Sequence, residues 1–257
     1  MPRVLVLLPP SEGKAVGGNG PPLELDALSF PGLNPTRLRL VRALERLATR
    51  QPELLARALG LSPRQHDQLA LDATLSSSPT MPALARYTGV LYDELGYASL
   101  TGGARRRADR SLVVASALFG LLRPRDRVPA YRLSGGTTVP DLGGLAPVWR
   151  PVLESELSSV TGLVVDLRSG AYAALARVPK AVEVRVLRDD AGRRTVVSHD
   201  NKYTKGRLAR ALCEHGARTT ADVAELGRTV ADGVEVDGRR VDLVLTGLAS
   251  ARQTVSG

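Results

Sequence analysis

Short, unbroken apolar runs separated by helix-patterned stretches predict an α/β protein. The runs are Val4–Leu8, Leu112–Ser116 and Gly162–Leu167, and runs of this length bounded by turn residues read as buried strands. Between them apolar residues recur at three- and four-residue spacing, the pattern of helices with one face on a core. The 257 residues can bury a sizeable core. With no internal repeat and no linker, the chain reads as one domain, 1–257.

Val4–Leu8 ends in Pro9–Lys14 (PPSEGK), followed by GGNGPP. Prolines and glycines forbid a regular element there, so a buried strand delivers Ser11, Glu12 and Lys14 on a loop. This is similar to a phosphate cradle, without the glycine spacing and Lys-Ser/Thr pair of a P-loop; a polar turn is the alternative. Pro35–Thr49 and Pro52–Leu59 read as amphipathic helices. Leu38, Val41, Leu44 and Leu47 form the core stripe of the first, and Arg37, Arg39, Arg42 and Arg46 its solvated face. Ser62-Pro63 opens a helix toward Leu71. Met81–Tyr92 and Leu95–Ala98 have helical spacing, with Tyr87, Tyr92 and Tyr97 as core residues with wet tips.

Arg105–Arg110 is a basic patch ahead of the strand Leu112–Ser116. The segment Ser116–Gly136 then combines Arg123, Arg125, Arg127 and Arg132 with Pro124 and Pro129. A stiffened loop carrying guanidinium groups suits oxyanions, because little ordering entropy is lost on binding. Trp149 falls in a helix from Pro147 to Ser158. The strand Gly162–Leu167 ends at Arg168–Tyr172, where Ser169 is placed to cap a helix, and a buried Asp166 needs a partner. Val182–Leu187 and Thr195–His199 alternate around DDAGR as a hairpin. Thr204–His215 and Thr219–Leu226 read as helices, and Val234–Val236 with Val241–Leu245 as a small hairpin. Residues after Ala249 are expected to be a frayed tail.

The stretch Ser198–Arg210 (SHDNKYTKGRLAR) carries the strongest functional signal. Lys202, Lys205 and Arg207 sit where a helix opens, with Arg210 one turn on. That is the wrong sign of charge for the macrodipole, and an anion held on the helix start would relieve it; a solvated basic helix start is the alternative. Lysine is rare in this arginine-rich chain, occurring only at 14, 180, 202 and 205. A retained lysine suits a site that wants a compact ammonium group. The formal charge of +9 and pI near 10.3 suggest an acidic partner: nucleic acid, anionic metabolite or membrane surface. The single Cys213 excludes an internal disulfide and a cysteine-based zinc site, and reads as a buried thiol. His66, His199 and His215 lack ligand spacing, so no metal or other cofactor is expected. The N-terminal apolar run is too short for a signal peptide or membrane span, and a cytoplasmic protein is expected.

Together, PPSEGK, FGLLRP…YRL, the Trp149 region, Ser169–Tyr172 and NKYTKGRLAR resemble the YaaA family of peroxide stress proteins, in order and spacing across almost the whole chain. The resemblance implies a mixed β-sheet flanked by helices, a basic cleft and a helix-hairpin-helix-like element. It implies binding of double-stranded or branched DNA in the oxidative stress response. It carries cleft roles onto Ser11, Lys14, Arg123, Tyr131, Arg132, Ser169, Tyr172, Lys202, Lys205, Arg207 and Arg210. The first loop is longer and more acidic than the Ser-Pro-Ala-Lys form of some members, and Leu212–Leu226 lacks the usual Gly-x-Gly turn. The alternative is an enzyme acting on a phosphorylated or carboxylated small molecule in the same cleft. Its acid–base or nucleophilic candidates are Lys14, Asp166, Lys202, Tyr203 and His199. A monomer is expected in either case.

Overall fold

The computed structural model describes residues 4–190 and 192–246. The run Val4–Leu8 is strand β1, buried at all five positions, as an unbroken apolar strand in a parallel sheet should be. The chain then passes through α1 (Asn34–Arg50), α2 (Pro52–Leu59), α3 (Leu69–Ala73), β2 (Met81–Pro82), α4 (Ala83–Arg86), α5 (Val90–Leu95) and α6 (Gly102–Ser111) to β3 (Leu112–Ser116). β4 (Gly120–Leu122) folds back antiparallel on β3. β5 (Arg127–Val128) pairs with β2, and β6 (Thr138–Val139) with β7 (Gly143–Gly144), in two small ribbons. Helix α7 (Leu145–Ser158) leads to β8 (Leu163–Asp166), and the short α8 (Gly170–Ala173) to β9 (Val182–Asp190) and β10 (Arg193–Thr195). Helices α9 (Ser198–His215) and α10 (Thr220–Gly227) precede the closing hairpin of β11 (Gly233–Asp237) and β12 (Arg240–Thr246).

Eight strands share one mixed sheet in the order β11-β12-β9-β8-β1-β3-β4, with β10 on β9. The five inner strands run parallel and β4, β10 and β11 pair antiparallel. From β1 the chain leaves toward β3; from the adjacent β8 it leaves toward β9, on the other side. The loops after these neighbouring strands part, and a crevice opens at their carboxyl ends. This is a topological switch point, where open α/β sheets take their ligands. The Leu167 N–H donates to the Leu7 carbonyl at 2.9 Å, so the two loops leave the sheet side by side.

Four local expectations are corrected. In α1 the core face is Leu40, Val41, Leu44 and Leu47 together with Arg37, while Leu38 is exposed. Arg37 is fully buried: its guanidinium donates to the carbonyls of Phe119, Leu121 and Ser29 and to Asn34 Oδ1 at 2.8–2.9 Å. It covers carbonyls of the edge strand β4 and its approach, which no further strand would satisfy. Burial pushes its pKa down to about 10. The stretch Met81–Tyr92 is not one helix. It breaks between α4 and α5, where Gly89 takes φ 99° and Tyr87 bridges to Lys14. The helix expected from Ser62 toward Leu71 begins as a 3-10 segment, Pro63–Gln68, capped by Ser62 and Gln65. Helix α9 begins at Ser198, six residues before Thr204. Asp200 in its first turn complements the dipole and pairs with Arg188 of β9 at 3.1 Å.

The longer α9 runs across the sheet and packs on α5. Gly206 makes this approach possible: a Cβ there would lie 2.5 Å from the Leu91 carbonyl oxygen and 2.7 Å from Glu94 Cβ. Cys213 is buried on this helix, and burial pushes its thiol up to about 12. No helix among the described residues is long and apolar enough to cross a membrane. The tail after Ala249 lies outside the described residues. Gly206→Ala is expected to cost about 1–3 kcal/mol by overpacking, read as a lower urea midpoint with an unchanged m-value.

Candidate functional site

The switch-point crevice is a cavity of about 360 Å³. Ser11 arrives on the loop after β1, and Leu167 and Ser169 on the loop after β8. Tyr92 comes from α5, and Asn201, Lys202 and Lys205 from the first two turns of α9. The walls from α5 and the strand ends are apolar, and the cations come from α9.

Because α9 begins at Ser198, Lys202 and Lys205 are not on its free N–H groups; they lie one and two turns inside. Lys202 is exposed and Lys205 is 6% exposed, beneath the α5 contact. Among the described residues, the one hydrogen bond of the Lys205 ammonium is a 3.4 Å contact to the Arg168 carbonyl. Burial pushes its pKa down to about 8, against the opposing pull of Asp166 and Glu183.

Lys14 follows directly on the crevice-lining Ser11–Gly13. Its ammonium stands 4.3 Å from the centre of the Tyr131 ring and 5.9 Å from that of Tyr87, a cation–π arrangement. Among the described residues its hydrogen bonds are 3.4 Å contacts to the carbonyls of Ser11 and Glu12. Burial, reinforced by Arg132, pushes its pKa down to about 8. Behind it lies Asp72, wholly buried. Asp72 Oδ1 accepts the Arg132 N–H at 2.8 Å, while Oδ2 meets no donor among the described residues. Burial pushes this carboxyl up to about 7. The Tyr131 hydroxyl is 2.9 Å from both the Tyr87 hydroxyl and Ser116 Oγ, and Ser116 Oγ accepts the Phe119 N–H. Tyr172 accepts the Gly135 N–H at 3.1 Å.

Ser11, Lys14, Tyr131, Arg132, Ser169, Tyr172, Lys202 and Lys205 thus gather at the carboxyl ends of the strands. Arg123, Arg207 and Arg210 do not. Arg123 donates to the Arg110 carbonyl at the opposite end of the sheet and stacks on Phe30 at 5.3 Å. Arg207 is exposed beside the Tyr203 ring. Arg210 pairs with Glu214 and caps α5 through the Leu95 and Gly96 carbonyls. Asp166 has the partner it needed: Arg168 grips it with two hydrogen bonds, 2.9 and 2.6 Å long. Ser169 precedes α8 without a side-chain cap bond. His199 is exposed. Asp72 and Ser116 escaped sequence reasoning. A lone carboxylate in LALDA was the available signal for Asp72; Ser116 carried none. No group of three or more histidine, cysteine or acidic residues among the described residues could hold a metal ion.

Residues 4–235 match the family profile described as peroxide stress protein YaaA. The chain belongs to that family. A UPF0246 protein of Corynebacterium efficiens is 43% identical over 252 residues, covering 94% of this chain and 99% of its own. One of Streptomyces coelicolor is 44% identical over 242 residues, covering 91% and 92%. A more distant UPF0246 protein of Idiomarina loihiensis is 28% identical over 217 residues, covering 76% and 84%. The match over residues 4–235 spans the crevice-lining segments of the chain.

Lys205 is the site's measurable liability. A base held below its ordinary value binds its proton more readily unfolded than folded. Stability therefore falls as the pH drops from 10.5 toward about 8, and the penalty is complete below that. Lys205→Met is expected to raise stability at pH 7 by on the order of 3 kcal/mol, with little change at pH 10.5. Urea unfolding at the two pH values checks this.

Proposed function

We propose that the protein acts in the peroxide stress response by binding the DNA backbone. The supporting observation is an open depression of about 970 Å³ at the amino-terminal end of the strands, lined by Arg107, Arg110, Arg123 and Arg218. It lies where α9 turns into α10 through Gly216–Thr219. Its two acids are already engaged: Asp109 by Arg125 and Arg105, and Asp222 by the backbone N–H groups of Arg218 and Thr219. The remaining positive charge suits phosphates, whose contacts position a duplex without reading its sequence.

A second reading, an enzyme acting on a phosphorylated or carboxylated small molecule, is favoured by the size of the crevice. A cavity of about 360 Å³ suits a compact ligand, whereas the major groove of a duplex is alone about 12 Å wide.

Fluorescence anisotropy against duplex and branched DNA at several salt concentrations tests the first reading. Four neutralised phosphates give a slope of log affinity against log salt of roughly −3 to −4. Replacing Arg110 and Arg218 together by alanine should lower the magnitude of that slope by about 2, whereas Lys205→Met, at the other end of the sheet, should bind DNA like the wild type. Absence of binding at low salt removes the DNA reading.

A further inference from the structure

We infer that the crevice is a substrate site in which Lys205 holds the anionic end of a small phosphorylated or carboxylated molecule, and Lys14, bordering the crevice directly after its lining residues Ser11–Gly13 and set by Asp72, takes and returns a proton. The inference rests on the second reading above and is independent of the DNA surface, which lies at the other end of the sheet.

Lys205 supplies the first argument. A buried ammonium group with one long hydrogen bond is costly unless something completes its shell. Nothing in the packing of α9 on α5 demands a charge there. Asn201, one turn earlier on the same face, also has a buried Oδ1 without a donor among the described residues. Both residues line the crevice. An anion in the cavity would satisfy Lys205, and a hydroxyl or amine on the same molecule would satisfy Asn201.

Lys14 and Asp72 supply the second. They belong to segments 58 residues apart, and the fold brings one behind the other with no ion-pair contact within 4 Å among the described residues. Across that gap the Asp72 carboxylate favours the charged form of the ammonium. The Tyr131 ring beneath Lys14 is locked by hydroxyl bonds to Tyr87 and Ser116. Burial raises the pKa of both phenols, so they stay neutral and do not compete for the proton. The other charges facing Lys14 are Glu12, Arg86 and Arg132; those facing Lys205 are Asp166 and Glu183. An amine held near neutrality beside a raised carboxyl is how environments assign acid and base roles.

The step balances without a further reactant. Neutral Lys14 takes a proton from an acidic X–H group of the substrate; the X–H bond breaks, its electron pair stays on X, and an N–H bond forms. The ammonium returns the proton to the rearranged molecule. Asp72 remains a carboxylate throughout the step and acts as a positioning residue through Lys14.

Four lysines make this directly measurable. The full chain is trace-acetylated with acetic anhydride across pH 6–11, and each lysine is followed by tandem mass spectrometry, with and without millimolar inorganic phosphate or adenosine monophosphate. Lys14 and Lys205 are expected to reach half-reactivity near pH 8. Either anion should slow Lys205 labelling at pH 8 several-fold. Asp72→Asn should move the Lys14 midpoint down by roughly one pH unit and leave Lys205 in place. If neither anion protects Lys205, the small-molecule reading fails. If an anion protects Lys205 but Asp72→Asn leaves the Lys14 midpoint unmoved, the Lys14–Asp72 pairing fails alone. Should Asp72→Asn not fold, Asp72→Ser gives the same readout, and a wild-type Lys14 titrating at its ordinary 10.5 overturns the pairing by itself.

Discussion

The parallel pairing of β1 with β8 is the constraint on which the rest of the molecule depends. Its register sets Val4 to Leu7 against Leu163 to Asp166. Two buried strands ending side by side, with their chains leaving in opposite directions, open a crevice that no side chain of the sheet itself can fill. The first of the segments that follow, Pro9–Lys14, is short of regular structure because prolines and a glycine interrupt it, and the second, Arg168–Tyr172, passes at once into the short α8. They bring hydroxyls and a lysine to a place already surrounded by apolar strand ends.

Helix α9 closes the arrangement from outside. Its placement is set by three contacts of different kinds: the Gly206 approach to the Leu91 carbonyl, the Arg210 cap on α5, and the Arg188–Asp200 pair that ties its first turn to β9. They flank the crevice cations along the helix, and together they decide that Lys205 is buried and Arg207 exposed. Three ionisable groups, Lys14, Lys205 and Asp72, are consequently held where water cannot solvate them well. Burial moves all three toward neutrality. A core that served stability alone would have replaced them with apolar side chains of similar volume; their retention is the physical case for a ligand.

The charge of the chain is spent in two ways. Many arginines serve as internal ties to carbonyl groups. Arg37 covers β4, Arg86 holds the Ala15 and Gly17 carbonyls, and Arg168 grips Asp166. A guanidinium fork suits this work, since it can satisfy several carbonyls from one position. The net charge therefore overstates the number of cations free to meet a partner. The rare lysines divide differently: Lys14 and Lys205 are close to unpartnered, and Lys202 is exposed at the crevice mouth, whereas Lys180 ties down the Ser158 and Val160 carbonyls.

The longer strands β1, β3, β8 and β9, most helices and the closing hairpin could be read directly, because unbroken apolar runs and three-to-four spacing are local properties of a chain folded around one core; the short strands β2 and β4–β7 could not, and the strand expected at Thr195–His199 is β10 at Arg193–Thr195, with Ser198 and His199 already in α9. So could the importance of the lysines, since their scarcity is a fact of composition, and the need of Asp166 for a partner. The family resemblance rested on motif order and spacing, which are also properties of the chain. Tertiary structure alone decided which cations meet. Arg123 and Lys14 carry equal weight in the sequence, yet β4 reverses direction and delivers Arg123 to the opposite end of the sheet. Arg37 looked solvated because nothing local reveals an edge strand in need of cover. Asp72 and Ser116 became site residues only when α3 and β3 were brought behind the first loop. Contacts between residues 50 or more positions apart are set by strand order, and strand order is not written in any local pattern.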